Sequence, residues 1–163
     1  MNYMKNKKIT NISIIIAIYV ALCLLLEPLS FGFIQFRISE ILCLLAIEFP
    51  YAIIANTIGC FIANMLFGGL GIVDIVFGSL ATFLGCLFAY MLRNKRYKGL
   101  PVASCLAIVL TNGIIVGIEL GLLASNIKMI PIGIIEISIS EFIIIVLIGL
   151  PIYNKLIDVI RKK

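Results

Sequence analysis

Glu27, Glu40, Asp74, Glu119, Glu136 and Glu141 stand within or at the ends of long apolar stretches in a chain that is 63% hydrophobic. A carboxylate at bilayer depth costs roughly 2.5–3.5 kcal/mol on insertion scales, so acids in such surroundings line a cavity, pair with one another or hold a ligand. Carboxylates accept hydrogen bonds and attract cations. The chemistry they suggest is capture of a small polar molecule by a membrane carrier.

Other polar residues fall at spacings that extend this set. Arg37 and Glu40 are three apart, so on a helix they share a face and can pair. Gln35 adds an amide with donors and acceptors, and Phe31, Phe33 and Phe36 can cover a flat ring. The plainer alternative is an aromatic belt at the membrane interface with a surface ion pair. Asn112 and Glu119 lie two turns apart on one helical face, in a stretch thinned by Thr111, Gly113, Gly117 and Gly121. Ser138 and Glu141 share a second face, and Glu136 and Ser140 a third, while Asn64 falls in the same layer. A network that only holds helices together is the alternative here. Phe67-Gly68-Gly69-Leu70-Gly71, before Asp74, lacks the lysine and spacing of a phosphate loop. It reads as a tight, flexible connection able to act as part of a gate.

These residues need elements to position them, and composition places those elements in a bilayer. Charged residues make up 13% of the chain, and the mean hydropathy is +1.21. Uncharged runs cover residues 9–26, 49–73, 75–92 and 99–118, each near the ~20 residues that cross hydrocarbon. The 163 residues fit a single integral membrane domain. The net charge of +5 does not indicate nucleic acid. Its basic clusters at Lys5–Lys8, Arg93–Lys98 and Arg161–Lys163 abut apolar runs, as cytoplasmic loops do. Cys23, Cys43, Cys60, Cys86 and Cys105 are scattered singly and histidine is absent, which supports neither a zinc site nor a disulfide framework. With no nucleophile–base pair and no metal cluster, an enzyme is not expected.

If all three basic clusters lie inside, the crossings between them must be even in number. The resulting expectation is an all-α bundle of six transmembrane helices over residues 9–27, 38–49, 51–66, 74–92, 100–124 and 132–156, with both termini cytoplasmic. Pro50 breaks the second from the third, because proline cannot donate to the helical ladder. A re-entrant hairpin over the same stretch would keep the same sidedness. Pro131 suits a first helical turn, and Pro151 predicts a kink or frayed turn near the end of the last helix. On this path the six acids fall toward the outside, and only Glu48 and Asp158 toward the cytoplasm. Ala17 and Ala21 form a small-xxx-small patch on the first helix, the kind of surface that lets another helix approach closely.

Together these features resemble the substrate-binding (S) components of energy-coupling-factor (ECF) transporters, and more narrowly the queuosine-precursor transporter (QueT) family. The residues that carry the likeness are Leu29-Ser30-Phe31-Gly32, Gln35-Phe36-Arg37-Ile38-Ser39-Glu40, Asp74-Ile75-Val76-Phe77-Gly78-Ser79-Leu80-Ala81-Thr82, Asn112 and Glu141, with Ala17 and Ala21 on the first helix. The resemblance implies a 7-deazaguanine ligand: a queuosine precursor, queuine or queuosine. Combined with the polar layer read above, it gives as expected substrate contacts Gln35, Phe36, Arg37, Glu40, Asn64, Asp74, Asn112, Glu119, Ser138 and Glu141. It also implies a transmembrane coupling subunit that meets Ala17 and Ala21, and two cytoplasmic ATPases that use the ATP, this chain needing no cofactor or metal. The loaded subunit would rotate in the bacterial cell membrane to deliver its pocket inward. A guanine-like edge suits a bidentate carboxylate, Glu141 or Glu119, with Asn112 or Gln35 donating to the ring carbonyl. A cationic aminomethyl arm would account for surplus acids such as Glu40 and Asp74. The alternatives are an S component for a thiamine- or riboflavin-type vitamin, and a non-transporting membrane scaffold.

Overall fold

The computed structural model describes residues 2–30, 35–68 and 71–161, and among these every regular element is a helix. Helix α1 spans Asn2–Leu25 and the single turn α2 spans Glu27–Ser30. A 3₁₀ helix follows over Ile38–Ile47, then α3 over Tyr51–Phe67, α4 over Ile72–Met91, α5 over Val102–Leu123 and α6 over Met129–Arg161. Helices α1, α4, α5 and α6 are long and apolar enough to cross a membrane, whereas the 3₁₀ helix and α3 are shorter. At 1.5 Å per residue α3 still extends about 26 Å, against a hydrocarbon core of ~30 Å.

The helical segments fall where the sequence places them, with three differences. The first helix ends at Leu25, and Glu27 opens the separate turn α2 instead of closing α1. The second is a 3₁₀ helix, which rises about 2.0 Å per residue and so carries ten residues over roughly 20 Å. It forms the centre of the bundle: from Ser39 to Ile47 only Ile41 is not buried, and α1, α3, α4, α5 and α6 all pack around it. Such a run is uncommon because its hydrogen bonds are poorer than those of an α-helix, and here the surrounding helices enforce it. Third, α6 does not fray at Pro151 but continues to Arg161. Its irregularity is a π-helical stretch over Phe142–Gly149 just before the proline, where the Leu150 amide reaches back to the Ile145 carbonyl.

Periodicity explains which faces are buried. In α1, Asn11, Ile15, Tyr19 and Cys23 recur every four residues and are all buried, so they form one stripe against the core. Ala17 and Ala21 lie on the exposed face of the same helix. Helices α5 and α6 meet along a glycine seam that lets their backbones touch. A Cβ at Gly117 would stand 2.5 Å from the Ile134 Cα, and one at Gly133 would stand 2.9 Å from the Gly117 carbonyl oxygen. Before α4, Gly71 has φ 74°, a left-handed conformation that glycine adopts without cost. Gly69 and Leu70 of the expected gate lie outside the described residues.

Glu48, just past the 3₁₀ helix, ties the basic end together. Its carboxylate accepts from Tyr153 Oη at 2.7 Å and from Arg161 Nη2 at 3.0 Å, and also pairs with Arg96. Partial burial opposes its ionisation, yet the Tyr153 hydrogen bond and then Arg96 outweigh that and hold it below the usual carboxylate range. A carboxyl depressed on folding stabilises above its unfolded pKa, and the gain is lost as pH falls through the folded value. Thermal unfolding in detergent is therefore expected to fall in temperature below about pH 4. Glu48→Gln should flatten that acid limb at a cost of about 1 kcal/mol at neutral pH, since the cluster is partly exposed.

Candidate functional site

The start of the 3₁₀ helix faces α4, α5 and α6 across a narrow cleft of about 10 Å³, room for about one water. Gln35, Arg37 and Glu40 supply one wall, with Gly78 and Thr82 of α4 beside them. Asn112 and Val116 of α5 and Ile137 and Glu141 of α6 close it. An i, i+4 step on each of three helices thus aims two residues at the same space.

Glu40 is the hub of this wall. Its Oε1 accepts from Tyr19 Oη and from Thr82 Oγ1 at 3.3 Å. Its Oε2 takes Cys43 Sγ at 3.0 Å and Asn112 Nδ2 at 3.4 Å. Four donors on two oxygens fill the carboxylate's capacity, so Glu40 positions its neighbours. Glu141 differs. It lines the pocket beside Asn112, and its Oε2 is buried with no partner. Among the described residues it is the wall carboxylate with acceptor capacity to spare.

Charge reinforces that reading. Four acids are buried at this end, Glu40, Asp74, Glu119 and Glu141, and Arg37 is the only buried basic residue among the described residues. Arg37 donates to Cys60 Sγ at 3.4 Å and lies within electrostatic range of all four. An excess of buried anions is unfavourable unless something neutralises it. The surroundings suit a ligand that brings N–H donors or positive charge.

The other expected site residues are distributed around this centre. Asp74 and Glu119 are buried one turn beyond the pocket residues Gly78 and Val116, and Asn64 donates to the Asp74 carbonyl at 2.8 Å. Phe36 is half-buried and packs on the core beside the pocket. Ser138 sits in the α5–α6 seam, where a Cβ at Gly113 would be 2.0 Å from its Oγ. Glu136 is half-buried and Glu27 exposed, so the six acids are not one set. Phe31 and Phe33 lie outside the described residues.

One contributor escaped the sequence reading. Tyr19 reaches Glu40 from the buried stripe of α1, a position its four-residue spacing from Ile15 and Cys23 could have revealed. Ser140 Oγ bonds the Gln35 carbonyl at 3.2 Å, and Gln35 holds a left-handed φ of 43°. Such conformations cost about 1–3 kcal/mol and gather at ligand clamps. Tyr19→Phe should remove about 1–3 kcal/mol of stability by leaving a buried carboxylate oxygen short of a donor. Thermal unfolding of the purified protein would read the loss directly.

Apolar helices of membrane length around a buried, anion-rich cluster define a multi-pass membrane protein. The family model described as QueT transporter matches residues 9–158. The chain belongs to the QueT transporter family. A similar curated protein is the Queuosine precursor transporter QueT of Lactococcus lactis subsp. cremoris (strain MG1363), 41% identical over 97 residues. That match covers 58% of this chain and 56% of the relative, so it spans little more than half the length of either. No solved structure matches the chain.

Proposed function

We propose that this chain is the substrate-specificity (S) subunit of an ECF-type importer and binds a queuosine precursor or a related 7-deazaguanine on the extracellular side. The observation that carries the reading is Glu141: a buried pocket carboxylate with a free oxygen, held beside Asn112 and backed by the saturated Glu40. A guanine-like edge offers a ring N–H and an exocyclic amine, which one carboxylate accepts as a pair. Gln35 and Asn112 have the chemistry to donate to the ring carbonyl. Family membership and the relative's printed ligand support the ligand class.

The six helical segments are read as six crossings with both termini cytoplasmic, the basic end facing in. The exposed Ala17 and Ala21 face is the docking surface for the coupling subunit, which two cytoplasmic ATPases drive. Isothermal titration of the purified chain against a 7-deazaguanine base, thiamine and riboflavin tests the ligand. Binding of a vitamin instead of the base moves the chain to another S-component class, and no binding at all favours a scaffold. Co-purification with the ATPases, lost in Ala17→Leu/Ala21→Leu, tests the assembly.

A further inference from the structure

Helices α4 and α5 leave an apolar groove of about 530 Å³ between them, within the range of small-molecule sites. Its walls include the exposed side chains of Phe88 and Met91 on α4 and Leu110 on α5. Its floor is the half-buried row Ala103, Ala107 and Thr111. These three recur every four residues, so the recess follows the axis of α5 for about 12 Å. Thr111 brings no free polarity into it, because its hydroxyl donates to the Ala107 carbonyl at 2.7 Å. Both helices are long and apolar enough to cross a membrane, so hydrocarbon rather than water meets this face. The length of the recess matches half of the ~30 Å hydrocarbon core, the depth that one lipid tail fills from one leaflet. A partner helix crossing the bilayer would need a track about twice as long.

The mouth of the groove says which lipid. It opens where Met91 ends α4 and Ala103 begins α5, beside a connection that carries four cations and no acid between residues 93 and 101. Two of the cations are engaged. Arg93 donates to the Tyr90 carbonyl at 2.9 Å and lies 4.0 Å above that ring, and Arg96 pairs with Glu48. Lys95 and Lys98 are exposed, and between them in sequence Tyr97 is exposed as well. A tyrosine in that position suits the headgroup level, where one side of the ring is apolar and the other wet. Lysines just outside a helix end attract anionic headgroups. Apolar recess and cationic rim thus complement the two halves of one molecule.

We propose that the α4–α5 groove holds an acyl chain of an anionic phospholipid whose headgroup rests on Lys95 and Lys98. The sequence contains no tryptophan, so Leu110→Trp sets a single fluorophore on the groove wall. Ile54→Trp sets one on the exposed face of α3, at the same end of the bundle, as the control. Each purified chain is placed in phosphatidylcholine bilayers holding a minor share of brominated phosphatidylglycerol, and in the converse mixture, and quenching is read. At Leu110→Trp the anionic lipid should be enriched about 25-fold over phosphatidylcholine, roughly fivefold for each lysine. The control should show little enrichment. Adding Lys95→Gln and Lys98→Gln, both on exposed residues, should bring the ratio at the groove close to one. Equal quenching by both lipids at the groove, or the same enrichment at both positions, overturns the site in favour of an ordinary lipid annulus. Enrichment that survives loss of both lysines overturns the headgroup contact. Protection of Leu110→Trp from every lipid, with the control still quenched, means that protein covers the groove and overturns the proposal.

Discussion

Glu141→Gln is expected to weaken ligand binding by about a hundredfold or more, the order seen when one partner of a buried charged hydrogen-bond pair is removed. The glutamine amide keeps the shape of the carboxylate but replaces one acceptor with a donor. That donor would face the N–H groups of the ligand edge. The effect separates from a folding defect by its sign. Glu141 is 5% exposed and its Oε2 is unpartnered, so neutralising it should leave the unfolding temperature unchanged or raise it. Isothermal titration alongside thermal unfolding reads both quantities. Glu27→Gln, on an exposed residue, should change neither. Ligand affinity that survives Glu141→Gln would remove this carboxylate from the contact set.

Gly117→Leu is expected to be the most destabilising single change in the α5–α6 seam. A first carbon at this position would already sit 2.5 Å from both the Cα and the amide nitrogen of Ile134. Backbone cannot rotate away as a side chain would, so the helices must separate. Overpacking by a few carbons costs about 1–3 kcal/mol where side chains can adjust. Because the clash is with backbone, Gly117→Ala should already exceed that range, and Gly117→Leu go further, with aggregation on size-exclusion chromatography. Because α5 carries Asn112 and α6 carries Glu141, any variant that folds should also bind ligand poorly. Normal unfolding of Gly117→Leu would mean that the seam opens without cost.

Much of this architecture is legible from charge and period alone. Long uncharged runs mark α1, α4, α5 and α6, and Pro50 separates the 3₁₀ helix from α3. Arg37, Glu40, Asn112 and Glu141 share one pocket because each is a polar residue with no reason to be in an apolar helix except a common purpose. The division of labour among the acids is not legible. Glu40 and Glu141 look alike as letters, and only the four donors around Glu40 distinguish an anchor from an acceptor. Ser138 and Ser140 differ by a rotation of about 200° around α6, and the glycine seam decides which one faces the site. The 3₁₀ coil was hidden for another reason: after Glu40 its residues are all apolar, so period gives no signal that separates one winding from the other.

That tight coil has a mechanical corollary. Wound as an α-helix, Ile38–Ile47 would be shorter by about 5 Å. Arg37 and Glu40 at one end and Glu48 at the other could not then all keep their present partners. The segment is a spacer of fixed length between the hydrogen-bonded Glu40 cluster and the Glu48 ionic knot. Any tightening or loosening of its winding must displace one of the two.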